Sequence, residues 1–213
     1  MAKIFSGISD ESLDRMCACF NAAKRFYRAG DTIMTYYNLN ERVGIVLSGE
    51  AEVVKYDIDG NRLILERLTQ DSVFGKLFTY LTEDGETSVI CSKNCEVLFI
   101  DYSHLIKRCE KACEHHSIFV SNMLNILSDR TKEQSAKIDV LSQRTMRKKL
   151  MSYFVIESKR QGKKSFDLPF SLSNLADYLC VDRSAMLREM KKMRDEGFIL
   201  SRAKHITLLK TEV

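Results

Sequence analysis

Seven residues spaced 4, 3, 4, 3, 4, 3 constrain this chain more than any other feature. Val120, Leu124, Leu127, Thr131, Gln134, Ile138 and Leu141 fall on one stripe of a helix predicted over 114–141. A mean spacing of 3.5 residues is the seam of a coiled coil, in which each side chain inserts between residues of a neighbouring helix. So long a seam with few other apolar positions is best satisfied by the same helix of a second copy. Packing on the chain's own N-terminal part is the alternative. Thr131 and Gln134 interrupt the seam; polar seam residues set register and partner number at some cost in stability. They are also placed to face a ligand.

The texture on either side of this helix differs. Residues 7–24 read as a short helix, with Ser9 or Asp10 as cap and Leu13, Met16, Cys17 and Phe20 on one face. Between 25 and 101 come short β-rich runs at 42–47, 51–56, 62–66, 89–91 and 96–100. Gly30-Asp31 and Gly49-Glu50 read as turns, and Asp59-Gly60 reads as a hairpin turn. Many short strands at this spacing suggest a closed barrel or jelly roll. After Tyr102 the pattern is helical, with a short helix over 103–111 before the long one, and another helix over 145–160. Residues 161–167 read as a loop.

Charge divides the chain in the same way. From Arg144 onward there are 16 Lys+Arg against 8 Asp+Glu, whereas the preceding part carries 17 against 21. A basic C-terminal segment beside an acidic N-terminal one is the footprint of a nucleic-acid-binding module joined to something else; a solvated basic surface is the plainer reading.

Residues 170–199 sharpen that choice. Ser171 is placed to cap a helix carrying Leu175, Tyr178 and Leu179. After a tight turn at Cys180-Val181, Asp182 is placed to cap a second helix with Met186, Leu187, Met190 and Met193 on its apolar side. Arg183, Ser184, Arg188, Lys191 and Lys192 lie elsewhere on that helix. Two short helices joined this way match a helix-turn-helix whose second helix enters the major groove of DNA. Arginine forks pair with O6 and N7 of guanine, while Ser171, Ser173 and the lysines suit phosphates. Gly197 and the apolar runs 198–200 and 206–209 predict a β-hairpin wing with Arg202 and Lys204 at its tip.

No uninterrupted apolar run of about 18 residues exists, so no membrane span is expected. No basic and apolar leader opens the sequence, and a cytoplasmic location is expected. Seven cysteines in such a chain argue against a disulfide framework. Residues 25–101 contain no histidine, and no nucleophile elbow, phosphate loop or metalloprotease helix occurs, so an enzyme with a cupin-like barrel is rejected.

The order of barrel, long helix and winged helix resembles the cyclic-AMP receptor protein / fumarate–nitrate regulator (Crp/Fnr) family from about Phe26 to Leu209. The markers are Ala29-Gly-Asp-Thr-Ile33, Leu47-Ser-Gly-Glu50, Asp71-Ser-Val-Phe-Gly75, Cys95-Glu-Val-Leu-Phe-Ile-Asp101 and, most specific, Val181-Asp-Arg-Ser-Ala-Met-Leu-Arg188. The resemblance implies an α+β chain with an N-terminal double-stranded β-helix (jelly-roll) barrel of cyclic-nucleotide-binding type. A dimerisation helix and a C-terminal winged helix-turn-helix follow, with boundaries at 1–113, 114–142 and 143–213. It implies a homodimeric, effector-gated transcription regulator on double-stranded DNA with an inverted-repeat operator. A constitutive binder with a decayed effector site is a further possibility. RNA polymerase is an expected partner, with the basic loop 159–164 as a candidate surface, or simply a solvated loop.

By position, Ser171, Ser173, Asp182, Arg183, Ser184, Arg188, Lys191, Arg202 and Lys204 are the DNA-binding set. Ser184 stands where many members have a base-reading glutamate, so the usual half-site is not expected. Gly75, Lys76, Leu77, Thr87, Ser88, Thr131, Gln134 and Ser135 are the effector set. Cyclic-nucleotide binders carry Gly-Glu-Leu for the ribose and Arg-Ser for the phosphate. Here Lys76 and Thr87 replace the two charged residues, and a buried charge needs a partner. Cyclic AMP is therefore not the expected effector. Lys76 is free to meet an anionic effector, to pair with Glu83 or Glu86, or to be solvated.

No cofactor is identified. Cys17-Ala-Cys19 does not match the family's four-iron–four-sulfur cluster. Cys91/Cys95 and Cys109/Cys113 could sense redox state, or the latter bind metal with His115 or His116, or be inert buried thiols. His104, His115, His116 and His205 are haem candidates with no motif behind them.

Overall fold

A computed structural model describes residues 3–36, 41–77, 87–106 and 114–210. The chain divides into two compact units, Met1–Asp129 and Arg130–Val213.

The first unit opens with α1 (Asp10–Cys19), preceded by Ser9 in extended conformation. The helix is shorter than expected: Asn21 takes φ 48°, and strand β1 (Ala23–Tyr27) follows. Then come β2 (Thr32–Thr35), β3 (Arg42–Tyr56), β4 (Arg62–Leu68), β5 (Val73–Gly75), β6 (Thr87–Asp101) and a short helix α2 (Tyr102–Ile106). All strand pairs are antiparallel, in the order β1-β6-β3-β4, with β2 also on β6 and β5 also on β3.

The runs expected as separate strands at 42–47 and 51–56 form one 15-residue strand, and so do those at 89–91 and 96–100. Such a strand spans ~50 Å if straight, more than a small domain can cover, so it must bend. The β3–β6 register slips three times between Val46 and Ala51. Gly49 sits in this bend with φ +86°, where a Cβ would meet the Asn94 carbonyl oxygen at 2.0 Å. Its turn-like character marks a strand bend, not a strand end. Asp59-Gly60 does form the β3–β4 turn, with Asp57 accepting from the Asp59 and Asn61 amides.

Val46, Ala51, Val53, Leu68, Phe74, Val89 and Val97 fill the space the curled strands enclose. A second cluster joins Ile4, Phe5, Ile8, Met16 and Phe20 to Val43, Ile45, Leu98 and Ile100. Helix α3 (Glu114–Leu141) enters this cluster through Phe119 and Met123.

Helix α3 therefore has two distinct apolar faces. Phe119 is 1% and Met123 7% exposed, whereas Val120 is 41%, Leu124 60% and Ile138 62% exposed. Thr131 is exposed; Leu127, Gln134 and Leu141 are half-buried. Leu127 leans on its own unit's core.

In the second unit, the rest of α3 is followed by α4 (Met146–Gln161), β7 (Ser165–Asp167), α5 (Leu172–Leu179), α6 (Arg183–Asp195), β8 (Ile199–Arg202) and β9 (His205–Leu208). Thr145 caps α4 by accepting from the Lys148 amide, and Gly162 ends it with φ 65°. The segment expected as a loop before α5 contains β7, because the Ser165–Asp167 backbone pairs with β9. The sheet order is β7-β9-β8. Leu150, Phe154, Leu175, Leu179, Met186, Met193 and Ile206 form the buried interior.

Candidate nucleic-acid interface and effector region

Helices α5 and α6 start on the two expected caps. Ser171 Oγ accepts from the Asn174 amide at 3.1 Å, and Asp182 Oδ1 accepts from the Ala185 amide at 2.7 Å. Each cap satisfies a backbone donor that the helix start leaves unpaired. Between them Cys180 adopts the left-handed conformation, φ 54°, which turns the chain in two residues. Met186, Met190 and Met193 are buried, so α6 presents its other side outward. Arg183, Ser184, Arg188 and Lys191 are all exposed. Ser184, Arg188 and Lys191 follow one another at i, i+4 and i+7, a single stripe along the helix.

Two further elements fix the surface. Arg147 on α4 reaches Glu189 at 2.7 Å and grips the carboxylate of Glu196 at 2.5 and 3.0 Å. It also lies over the Phe198 ring at 5.5 Å. The bonds to Glu196 and Glu189 hold the guanidinium's pKa above its ordinary value, and the Arg147 bond holds the Glu196 carboxyl below the ordinary carboxylate range. In the wing, His205 Nδ1 meets Asp167 Oδ1 at 2.8 Å and its Nε2 meets Ser165 Oγ at 2.8 Å. Exposed Arg202 and Lys204 flank the tight β8–β9 turn, where Ala203 has φ 52°. Ser173 is exposed at the start of α5.

The effector set falls in both units. In the first, Gly75 ends β5 and Thr87 begins β6. Tyr36 joins them: its hydroxyl accepts from the Gly75 amide at 3.2 Å, and its own amide donates to the Thr87 carbonyl at 2.8 Å. Thr87 is 2% exposed, and among the described residues its Oγ1 has no hydrogen-bond partner. Lys76 pairs with Glu41 at 2.6 Å. Glu83 and Glu86, the expected partners, lie outside the described residues. Ser88 and Leu77 are half-buried. In the second unit, Gln134 is half-buried, and Thr131 and Ser135 are exposed.

Residues 24–112 match the cyclic nucleotide-binding domain family, and residues 148–213 match the Crp-like helix-turn-helix domain family. The chain belongs to the Crp/Fnr family. Like the members of that family, it is a DNA-binding transcription regulator with an effector-binding domain. It is 24% identical over 215 residues to the global nitrogen regulator of Synechocystis sp., a match covering 98% of this chain and 91% of that protein. Its fold is shared with the c-di-GMP responsive global regulator CLP of Xanthomonas campestris, at a TM-score of 0.71 and 18% identity over 95% of this chain and 100% of that one. A CooA variant from Carboxydothermus hydrogenoformans matches at a TM-score of 0.72 and 15% identity, covering 91% and 86%.

In this Crp/Fnr regulator Cys17 and Cys95 do not resemble sensing thiols. Cys91 and Cys95 are buried, and both donate to the Lys93 carbonyl at 3.0 Å. Burial, reinforced by Cys91, pushes the Cys95 thiol up to about 12. Burial also raises Cys17. A sensing thiolate needs the opposite shift. Cys109 and Cys113 lie outside the described residues. Among the described residues no three His, Cys, Asp or Glu side chains converge to hold a metal ion, and no helix is long and apolar enough to cross a membrane. Of the haem candidates, His115 bonds Ser12 at 3.0 Å and His116 meets Phe20 edge-on.

Tyr36 and Arg147 are the residues that sequence reasoning missed. Each acts on partners about 40 or more positions away, and no local pattern marks them.

Proposed function

We propose that this regulator acts as a homodimer on an inverted-repeat operator, reading the major groove with the exposed stripe of α6. The carrying observation is that stripe with Arg183 beside it: Arg183, Ser184, Arg188 and Lys191 stand clear of the fold on a helix capped by Asp182. Arg183 and Arg188 supply forks for guanine or phosphate, and Lys191, Arg202, Lys204 and Ser173 hold the backbone. Ser171 and Asp182 act through the helix starts they cap. Residues 1–113 sense the effector, 114–142 dimerise through Val120, Leu124, Leu127, Thr131, Gln134, Ile138 and Leu141, and 143–213 bind DNA. RNA polymerase is the onward partner.

The effector is not cyclic AMP. Lys76 stands where a ribose-holding glutamate is needed and is engaged by Glu41, and Thr87 offers no positive charge to a phosphate. Ligand binding around Gly75, Lys76, Leu77, Thr87 and Ser88, with Thr131, Gln134 and Ser135 of the long helix, shifts a two-state equilibrium that re-aims α6.

The test is operator selection from random duplex DNA, followed by fluorescence anisotropy with wild-type protein and Arg183→Ala. Wild-type should select an inverted repeat, and the variant should lose about 1–3 kcal/mol of discrimination while remaining dimeric. Equal operator affinity in the two proteins would overturn the reading. Calorimetry with cyclic AMP should show no binding.

A further inference from the structure

A cleft in the first unit borders the effector residues assigned above, with the Arg42 carbonyl accepting from the Lys76 amide at 2.9 Å and Thr35 paired with Ser88, but none of them lines it. It has a volume of about 280 Å³ and takes its walls from β1, β2, β3 and β6. Its floor is apolar: Ile33, Met34 and Phe99 belong to the cluster that fills the barrel. Arg25 from β1, Arg42 from β3, Tyr27 and Thr35 also line it.

The two cations are only weakly neutralised. Arg42 meets Asp101 through Nε at 3.4 Å, and Asp101 already accepts from the Asn21 amide group at 2.6 Å. Among the described residues no carboxylate lies within ion-pair reach of Arg25, which is exposed. The neighbouring Lys24 and Glu96 are 3.9 Å apart and occupied with each other. The result is a net positive mouth over a hydrophobic floor. Planar guanidiniums match anionic oxygens in pairs, and an apolar floor rewards a hydrocarbon body.

We propose that this cleft binds a small organic acid, its anionic head held by Arg25 and Arg42 and its apolar body against Ile33, Met34 and Phe99. The site is independent of the DNA-binding reading, because neither α6 nor any residue of the effector set contributes to it.

The experiment is calorimetric titration of the full-length protein with 3-phenylpropionate, octanoate and phenyl phosphate, with 3-phenylpropanol as uncharged control. At least one acid should bind with a Kd of about 1 mM or tighter. The alcohol should bind about tenfold more weakly, and Arg25→Gln and Arg42→Gln should each weaken the acid about tenfold. Arg25 is exposed, so its variant folds, and an unchanged circular dichroism spectrum checks this. Three outcomes overturn the proposal: no acid binds, the alcohol binds as well as the acids, or Arg25→Gln binds with unchanged affinity. Because the readout contains no DNA, loss of the operator reading leaves this result standing, and the converse also holds.

Discussion

Arg147 holds Glu196 with both arms of its guanidinium, Nη1 at 2.5 Å from Oε2 and Nη2 at 3.0 Å from Oε1, while its Nε is 2.7 Å from Glu189. One side chain on α4 thus fixes the last turn of α6 and the chain that leaves it for the wing. A lysine has the charge but not the fork. Arg147→Lys should lower the melting temperature of the C-terminal unit, by about 4–8 °C for each kcal/mol lost in a unit of this size, and weaken operator binding. The pH dependence follows from the sign of the shift. Glu196 has its pKa lowered in the folded state, so its contribution is complete above the ordinary carboxylate range and disappears as pH falls through the lower folded value. Glu196→Gln should flatten that acid limb in thermal melts followed from pH 7 to pH 3; an unchanged limb would place the dependence elsewhere.

Asp182 Oδ1 at 2.7 Å from the Ala185 amide makes a second prediction separable from DNA contact. Asp182→Ala should cost ~1 kcal/mol in urea unfolding, and Asp182→Ser should restore most of it. Equal stability of all three proteins would mean that the cap contributes nothing.

Leu124 tests the seam. It is 60% exposed. Leu124→Glu should turn the protein monomeric in light-scattering chromatography while leaving the secondary structure intact, since like charges would oppose each other along a two-helix seam. A dimer that survives this change would move the interface elsewhere.

Thr87 carries a buried hydroxyl without a partner among the described residues. Such a group costs about 1–3 kcal/mol in desolvation, and an apolar group of the same shape removes the cost. Thr87→Val should therefore raise the stability of the effector-free protein by ~1 kcal/mol in urea. Destabilisation would show that the hydroxyl already has a use in the folded state.

Local elements are legible in the sequence, and long-range pairings are not. The long helix follows from its own spacing and the α5–α6 pair from two capping residues, because 3.6-residue periodicity and N-caps are written within a few positions. The long strands β3 and β6 were read as fragments, because a bend such as that at Gly49 uses the same residue as a turn. The first helix ends at Cys19, short of the 7–24 span its pattern suggests, since nothing local distinguishes Asn21 leaving the helical region. Lys76 pairs with Glu41, 35 positions earlier, a partner that no local pattern marks. Tyr36, which ties Gly75 to Thr87, and the Arg25–Arg42 cleft are assembled by strand pairing, so their members have no common sequence signature.

Helix α3 carries its two apolar faces out of phase by one residue, Phe119 and Met123 inward, Val120 and Leu124 outward. Each added residue turns the rest of an α-helix by ~100°. A single insertion near Asp129 would swing Ile138 off the line set by Val120 and Leu124, while two full turns with seven residues nearly restore it. Natural length variation in this segment should therefore come in sevens, and its reading frame is as restricted as that of a codon.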